Sequence, residues 1–263
     1  MLRYDAQWLI EYYADETTAA PGLPYSLVRK GAAEVERCPR PFELARVADV
    51  EPRLAFDETI VRLITCEGDV LRVQPCKYSD GVRSNYAMDG EGGLREILRV
   101  DYGRRLPLWT DARVANGIGT AIVVFDGVGK PHLPRRAPRQ SVFPGGYHCT
   151  ASGDARWRDD GEMFERQILC ELEEEAGLTR EDLDWIRPLG LYREFLRGGK
   201  PQFFFAGGTS LGTDKLAVRR RRAIEGQIAR GRQEILDEVL TEVNEQTVTQ
   251  CTIECRANLA LAF

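Results

Sequence analysis

The sequence predicts a mixed α/β protein. Strand-like and helix-like stretches alternate along the chain, a strand–loop–helix unit lies at its centre, and 263 residues suffice for a substantial core. No internal repeat and no low-complexity segment interrupts the pattern.

Residues 1 to about 55 mix a short helix candidate, Gln7 to Tyr13, with proline-rich connections at Pro21, Pro24, Pro39 and Pro41. Thr59–Cys66 and Val70–Gln74 are β-branched, partly alternating runs around Glu67-Gly68-Asp69, which reads as a hairpin. Gly92-Gly93 opens a helix over Leu94 to Val100. Gly117–Phe125 (GIGTAIVVF) is an apolar strand, and a second strand spans His132–Arg136 before the Pro144-Gly145-Gly146 turn. Tyr147 to Asp160 is polar and irregular, and reads as a loop.

Helical text then runs from Gly161 to Ala176. Phe164, Ile168, Leu169, Leu172 and Ala176 recur at helical spacing and form one apolar stripe, and Gly177 suits a left-handed helix end. Leu189–Phe195 and Gln202–Ala206 read as strands. Lys215 to Val243 reads as one long amphipathic pattern, with Ile224, Ile228, Ile235, Val239 and Val243 on its buried side.

Composition excludes several classes. No run approaches the ~18 apolar residues of a membrane span, and the N-terminus has no basic-then-apolar leader, so the cytoplasm is the expected compartment. A net charge of -5 argues against a general nucleic-acid binder. The 7 cysteines lack a repeated spacing, which reads as reduced thiols, with Cys251 and Cys255 placed to share a helix face. With 2 histidines and no CxxC pair, a zinc site is not expected.

The chemistry concentrates on the central helix. At ~100° per residue, Glu171, Glu174 and Glu175 fall within one sector and Glu173 points elsewhere. Like charges three and four residues apart destabilise a helix by roughly a few tenths of a kcal/mol per pair unless cations face them. Most such runs are solvated acidic faces. Beside a diphosphate, however, this trio could hold magnesium, a hard ion that takes carboxylate oxygens and keeps water.

The context favours the second reading. The segment resembles the Nudix box, whose pattern is Gly, five residues, Glu, seven residues, then Arg-Glu-apolar-any-Glu-Glu-any-Gly-apolar. Here Glu162 is followed by seven residues and then Cys170, Glu171, Leu172, Glu173, Glu174, Glu175, Ala176, Gly177 and Leu178. The preceding GIGTAIVVFDG strand, the Arg135-Arg136 pair and Phe143-Pro144-Gly145-Gly146 also come in the order of Nudix domains. Two departures stand out. Gly145-Gly146 is separated from Gly161-Glu162 by YHCTASGDARWRDD, and Cys170 replaces the arginine, for which Arg166 one turn earlier is the expected substitute.

The resemblance covers about residues 112 to 263. It implies an α/β/α sandwich with a mixed sheet for 112–263, and an N-terminal α+β subdomain over 1–111 that shapes the substrate pocket or a dimer contact. It further implies hydrolysis of a nucleoside diphosphate linked to a group X, with Glu171, Glu174 and Glu175 as catalytic residues and as ligands of Mg2+ (Mn2+ in its place). Because Nudix domains often dimerise, it also implies a homodimer. Ile60–Val73, the Tyr78-Ser79-Asp80 and Ser84-Asn85-Tyr86 loop, and Pro144-Gly145-Gly146-Tyr147-His148 loosely resemble the branch that splits uridine diphosphate sugars. A nucleotide sugar, giving a nucleoside monophosphate and a sugar 1-phosphate, is therefore the expected substrate. The alternative is a non-catalytic Nudix domain that senses a nucleotide or docks a partner.

Further residues could address the substrate. Arg135 and Arg136 carry forks suited to phosphate oxygens, and Gly145 and Gly146 form the adjoining turn. Tyr78 and Asn85 could flank a base or sugar, against core packing as the bland reading. His148 could assist a leaving group, against a hydrogen-bonded structural role. Glu194 is an extra base or ligand candidate, or simply a strand residue. The run Arg219-Arg220-Arg221-Arg222 sits among acidic residues and reads as a solvated helix face rather than an RNA contact.

Overall fold

The computed structural model describes residues 34–37, 57–67, 70–88, 94–102, 109, 114–140, 143–158 and 163–262. The Gln7–Tyr13 helix, the early prolines, Gly68-Asp69, Gly92-Gly93, Gly161-Glu162, Cys38 and the 111/112 boundary lie outside these residues.

The strands are β1 (Glu34–Arg37), β2 (Thr59–Glu67), β3 (Val70–Lys77), β4 (Gly119–Phe125), β5 (Leu133–Arg136), β6 (Ala151–Asp154), β7 (Trp185–Glu194), β8 (Lys200–Gly208) and β9 (Ile235–Leu240). The helices are α1 (Tyr78–Arg83), α2 (Leu94–Tyr102), α3 (Met163–Glu171), α4 (Thr213–Ala229) and α5 (Ile253–Ala262). A single π turn, Leu172–Ala176, continues α3.

The central sheet has the order β6-β4-β8-β7, with β4 and β8 parallel and both outer pairings antiparallel. Strand periodicity assigns its two faces. Ile122, Val124, Phe203 and Phe205 turn to one side and pack with Phe164, Ile168 and Leu172 of the α3 segment. Ala121, Val123 and Phe204 turn to the other and pack with Cys255 and Leu259 of α5. Phe164 meets Phe203 edge-on at 5.3 Å. A strand covered on both faces should read as an unbroken apolar run, and every residue of β8 is buried. These layers are the expected α/β/α sandwich with a mixed sheet.

The β2–β3 hairpin is antiparallel, and β1 lies parallel to β3 at its edge. The hairpin is joined to the sandwich through backbone: Val61 N–H donates to the Ala155 carbonyl (2.8 Å) and Ile118 N–H to the Val61 carbonyl (2.8 Å). Val61, Leu63, Leu71 and Val73 share the core that holds Ile122 and Phe203. A third, two-stranded sheet pairs β5 with β9.

Two sequence expectations need correction. The pattern from Lys215 to Val243 is not one helix: α4 ends at Ala229, Gly231 adopts φ 69°, and Ile235–Leu240 is β9. The apolar residues on either side of Gly231 serve different partners, and Ile228 is 55% exposed. The segment from Tyr147 to Asp160 is not wholly loop, because Ala151–Asp154 is the edge strand β6, paired with β4. Its polar residues are those of an edge strand with a solvated side, so hydrophobic alternation does not mark it. No helix among the described residues is long and apolar enough to cross a membrane.

Candidate active site

Elements from all three sheets and from α3 enclose one polar cavity of about 210 Å³. Among the described residues Ile60 supplies the only aliphatic side chain of its wall, and the rest are charged residues, serine, tyrosine, glutamine, glycine and His148.

The acidic wall comes from the α3 segment. After Glu171 the helix widens into the π turn, a form that concentrates at functional sites, and Gly177 closes it with φ 67°. A Cβ on Gly177 would stand 2.5 Å from the Arg219 carbonyl, so α4 packs backbone against this turn. Glu171 lines the cavity and lies against β6: a Cβ on Gly153 would stand 2.1 Å from its Oε1. Gln167 Nε2 donates to that same oxygen at 2.6 Å. Glu174 is exposed on the cavity rim. Glu175 is buried beside it, where its Oε2 accepts from Ser152 N–H (2.9 Å) and its Oε1 has no partner.

Burial, together with Glu174 and Glu234, pushes the Glu171 carboxyl up to about 8. Burial, then Glu171 and Glu234, pushes Glu175 well above the ordinary range. Like charges therefore crowd one low-dielectric wall, and Arg136, Arg156 and Arg232, which line the same cavity, offset them only in part. Among the described residues no three His, Cys, Asp or Glu side chains converge as a ready-made ligand group. The donors nevertheless suit a hard divalent ion: carboxylate oxygens, one of them a buried orphan.

A second cluster is built on direct ion pairs. Arg197, in the turn between β7 and β8, bonds Glu254 Oε1 at 3.0 Å and pairs with Glu194 Oε2 at 3.2 Å. Its guanidinium lies over the rings of Tyr86 (4.8 Å) and Phe143 (5.1 Å). Lys200 is 2% exposed and pairs with Asp154 at 3.0 Å, whose other oxygen accepts from the Tyr86 hydroxyl at 2.8 Å. His148 joins through Glu254 Oε2 (3.2 Å), with Nε2 also 3.0 Å from Ser152 Oγ. Burial lowers its pKa, with Arg136 and Arg197 acting in the same direction. Burial raises Glu194 to about 7, whereas Arg197 and His148 hold the buried Glu254 well below the usual carboxylate range.

Of the residues singled out from sequence, Glu171, Glu174, Tyr78, Arg136 and His148 line the cavity, and Glu175 stands directly behind its wall. Others do not. Arg135 turns away to Glu238 on β9 (2.7 Å) and to the Gly145 carbonyl (2.9 Å). Gly145 and Gly146 shape the turn outside the cavity, where the Gly146 carbonyl accepts from Arg136 N–H (2.9 Å). Asn85 is buried, bonding the Arg197 carbonyl (2.8 Å) and Asn116 N–H (2.8 Å). Glu194 lies behind Arg197 rather than at the wall. The arginine run is partly internal: Arg220 is buried on Asp237 (2.8 Å) and His132, and Arg219 pairs with Asp182 (2.8 Å). Cys251 and Cys255 are both buried against the α5 face of the sheet, but Cys251 precedes the helix.

Sequence reasoning missed Asp154, Arg197, Lys200, Glu234 and Glu254 as cavity residues. The one available signal was charge beside unbroken apolar strands, as in Arg197-Gly198-Gly199-Lys200 before PQFFF.

No protein-family model matches the chain, and no curated protein matches it. Solved structures align over part of it. A MutT/Nudix family protein from Listeria innocua is 19% identical over 56% of this chain and 91% of that one, with a TM-score of 0.38. The Nudix domain of Shewanella oneidensis NrtR, complexed with ADP ribose, is 20% identical over 36% and 61%, with a TM-score of 0.29. For a Deinococcus radiodurans protein the identity is 20%, the TM-score 0.30, and the match spans 36% of this chain and only 57% of that one. Likeness at this level leaves the function to the residues of the cavity itself.

Proposed function

We propose that the chain is a Nudix-type hydrolase that cuts the phosphoanhydride of a nucleoside diphosphate linked to another group. The observation that carries this reading is the acidic wall, Glu171, Glu174 and Glu175, set on a helix end beside a polar cavity that also receives Arg136. These carboxylates would hold Mg2+ or Mn2+, and the bound ion supplies charge neutralisation on phosphoryl oxygens and a more acidic water.

In the reaction a new bond forms between water oxygen and phosphorus, and the bond from that phosphorus to the bridging oxygen breaks. The bridging oxygen leaves with the other phosphoryl group, and the water proton passes to a wall carboxylate. Arg136, 8% exposed and with no carboxylate as a hydrogen-bond partner in the cavity, offers a planar fork to phosphoryl oxygens. A nucleotide sugar is the proposed substrate. The wall of mixed donors and acceptors, Asp154, Lys200, Gln202 and Tyr86 among them, suits a hydroxyl-rich group.

The test is product analysis with nucleotide sugars, ADP-ribose and dinucleoside polyphosphates, with Mg2+, with EDTA, and with Glu174→Gln. Metal-dependent cleavage that falls by roughly 10²-fold or more in the variant supports the proposal. Cys170 in the place of the box arginine favours a second reading, a nucleotide-binding sensor. Tight nucleotide binding with no cleavage under any condition would select it.

A further inference from the structure

The π turn ends in a way that leaves one carbonyl for a side chain. Gly177 N–H goes to the Glu173 carbonyl and Leu178 N–H to the Leu172 carbonyl, so the last-turn carbonyl of Glu174 takes its donor from elsewhere. That donor is Gln227 Nε2, from α4, at 3.0 Å. The other end of the same amide is also committed: Gln227 Oε1 accepts from Glu234 N–H at 2.9 Å. Gln227 is 3% exposed. Its amide has one self-consistent orientation, because the opposite one would set donor against donor and acceptor against acceptor.

The two backbones so joined both carry cavity carboxylates. Glu174 stands on the rim at the end of the helix, and Glu234 reaches the same cavity from the chain between α4 and β9. Glu234 also adds to the negative field at Glu171 and Glu175. Arg136 and Arg232 offset part of the repulsion at Glu234, and the Gln227 amide ties together the two backbones that carry these carboxylates. We infer that Gln227 is a positioning residue, a clamp that fixes the Glu174 turn against the Glu234 segment so that the carboxylates on the two backbones face one cavity at a set separation, where a divalent cation would meet both. The inference rests on the metal-helix reading proposed above, and adds Glu234 to the acid set.

Residues that orient ligands from behind typically matter by about 10- to 100-fold in metal affinity. Gln227→Leu keeps the volume and removes both hydrogen bonds. Binding of Mn2+ alone, followed by calorimetry or water-proton relaxation, is expected to weaken by about that factor, while activity at saturating metal recovers to near the unaltered protein. A merely structural role would lower the melting temperature and leave Mn2+ affinity unchanged, which overturns the inference. Glu174→Gln runs in parallel. If it binds Mn2+ as the unaltered protein does, the metal-helix reading itself fails; if it weakens Mn2+ and Gln227→Leu does not, only the clamp fails. Should Gln227→Leu not fold, amide hydrogen exchange on the unaltered protein decides. The Glu234 amide is expected to be protected and to gain protection with Mn2+, and exchange at the rate of a free loop overturns the clamp.

Discussion

The cavity has two charged walls built on opposite terms. On the α3 side, burial and then Glu171 and Glu234 raise the pKa of Glu175, and burial and then Glu174 and Glu234 raise that of Glu171. On the β7–β8 side, Arg197 stands between Glu194 and Glu254, and Lys200 takes Asp154. The second wall holds its cations in direct ion pairs, although both Glu194 carboxylate oxygens lack a hydrogen-bond donor among the described residues. In the first, Arg136, Arg156 and Arg232 lower the carboxyl pKa values without cancelling their rise, and the wall is centred on the helix whose sequence resembles a metal-binding box. The difference separates charge that holds the fold from charge that serves a ligand, a distinction that burial by itself does not make.

Replacing Arg197 should break the ion-paired wall most severely. Arg197→Met leaves Glu194 and Glu254 facing each other in a buried site, and removal of one partner of such a network costs about 3–5 kcal/mol. Chemical denaturation would show a loss of that order without dependence on divalent metal. A variant that unfolds where the unaltered protein does would mean that the two walls are not different in kind.

The acidic wall should reveal itself through pH. In EDTA, the folded pKa values of Glu171 and Glu175 lie above their unfolded values, so the folded state binds more protons than the unfolded chain. The stability they contribute is present below the unfolded value and is lost as pH rises through about 8 for Glu171. Melting temperature should therefore fall across neutral pH in EDTA. Glu171→Gln should flatten that fall, and Mn2+ should do the same in the unaltered protein. A flat profile in EDTA would indicate that the wall is already compensated.

The central layers were legible because their chemistry is periodic. GTAIVVF and FFFA are runs that only a doubly covered strand requires, and Phe164, Ile168 and Leu172 mark a helix face at the right spacing. The carboxylate trio was legible for the same reason, although uniform α-helical spacing did not foresee the π turn that sends Glu175 inward and leaves Glu174 on the rim. The rest depended on contacts distant in sequence. Arg197 finds Glu254 across 57 positions, and Asn85 finds the Arg197 carbonyl across 112, so no local pattern records either. The strand at 235–240 was concealed because Ile235 and Val239, spaced four apart, fit a helix stripe as well as a short ladder against β5.

The smallest effect is expected from the adjacent arginines, and it tests whether cavity position or mere proximity decides a role. Arg135 and Arg136 are neighbours in sequence, but alternation along β5 sends them to opposite sides. Arg135 ends in an exposed pair with Glu238, the kind of contact that water and salt screen most. Arg136 ends in the cavity near Glu234 and Glu175. Arg135→Ala should accordingly leave turnover and nucleotide binding within experimental scatter. Arg136→Ala should weaken binding of the diphosphate without weakening Mn2+ binding, because its fork would face the phosphoryl oxygens and its positive charge repels the ion. Equal losses in the two variants would show that substrate reaches over the Gly145 turn to the outer face of β5, and the cavity would then hold only part of the site.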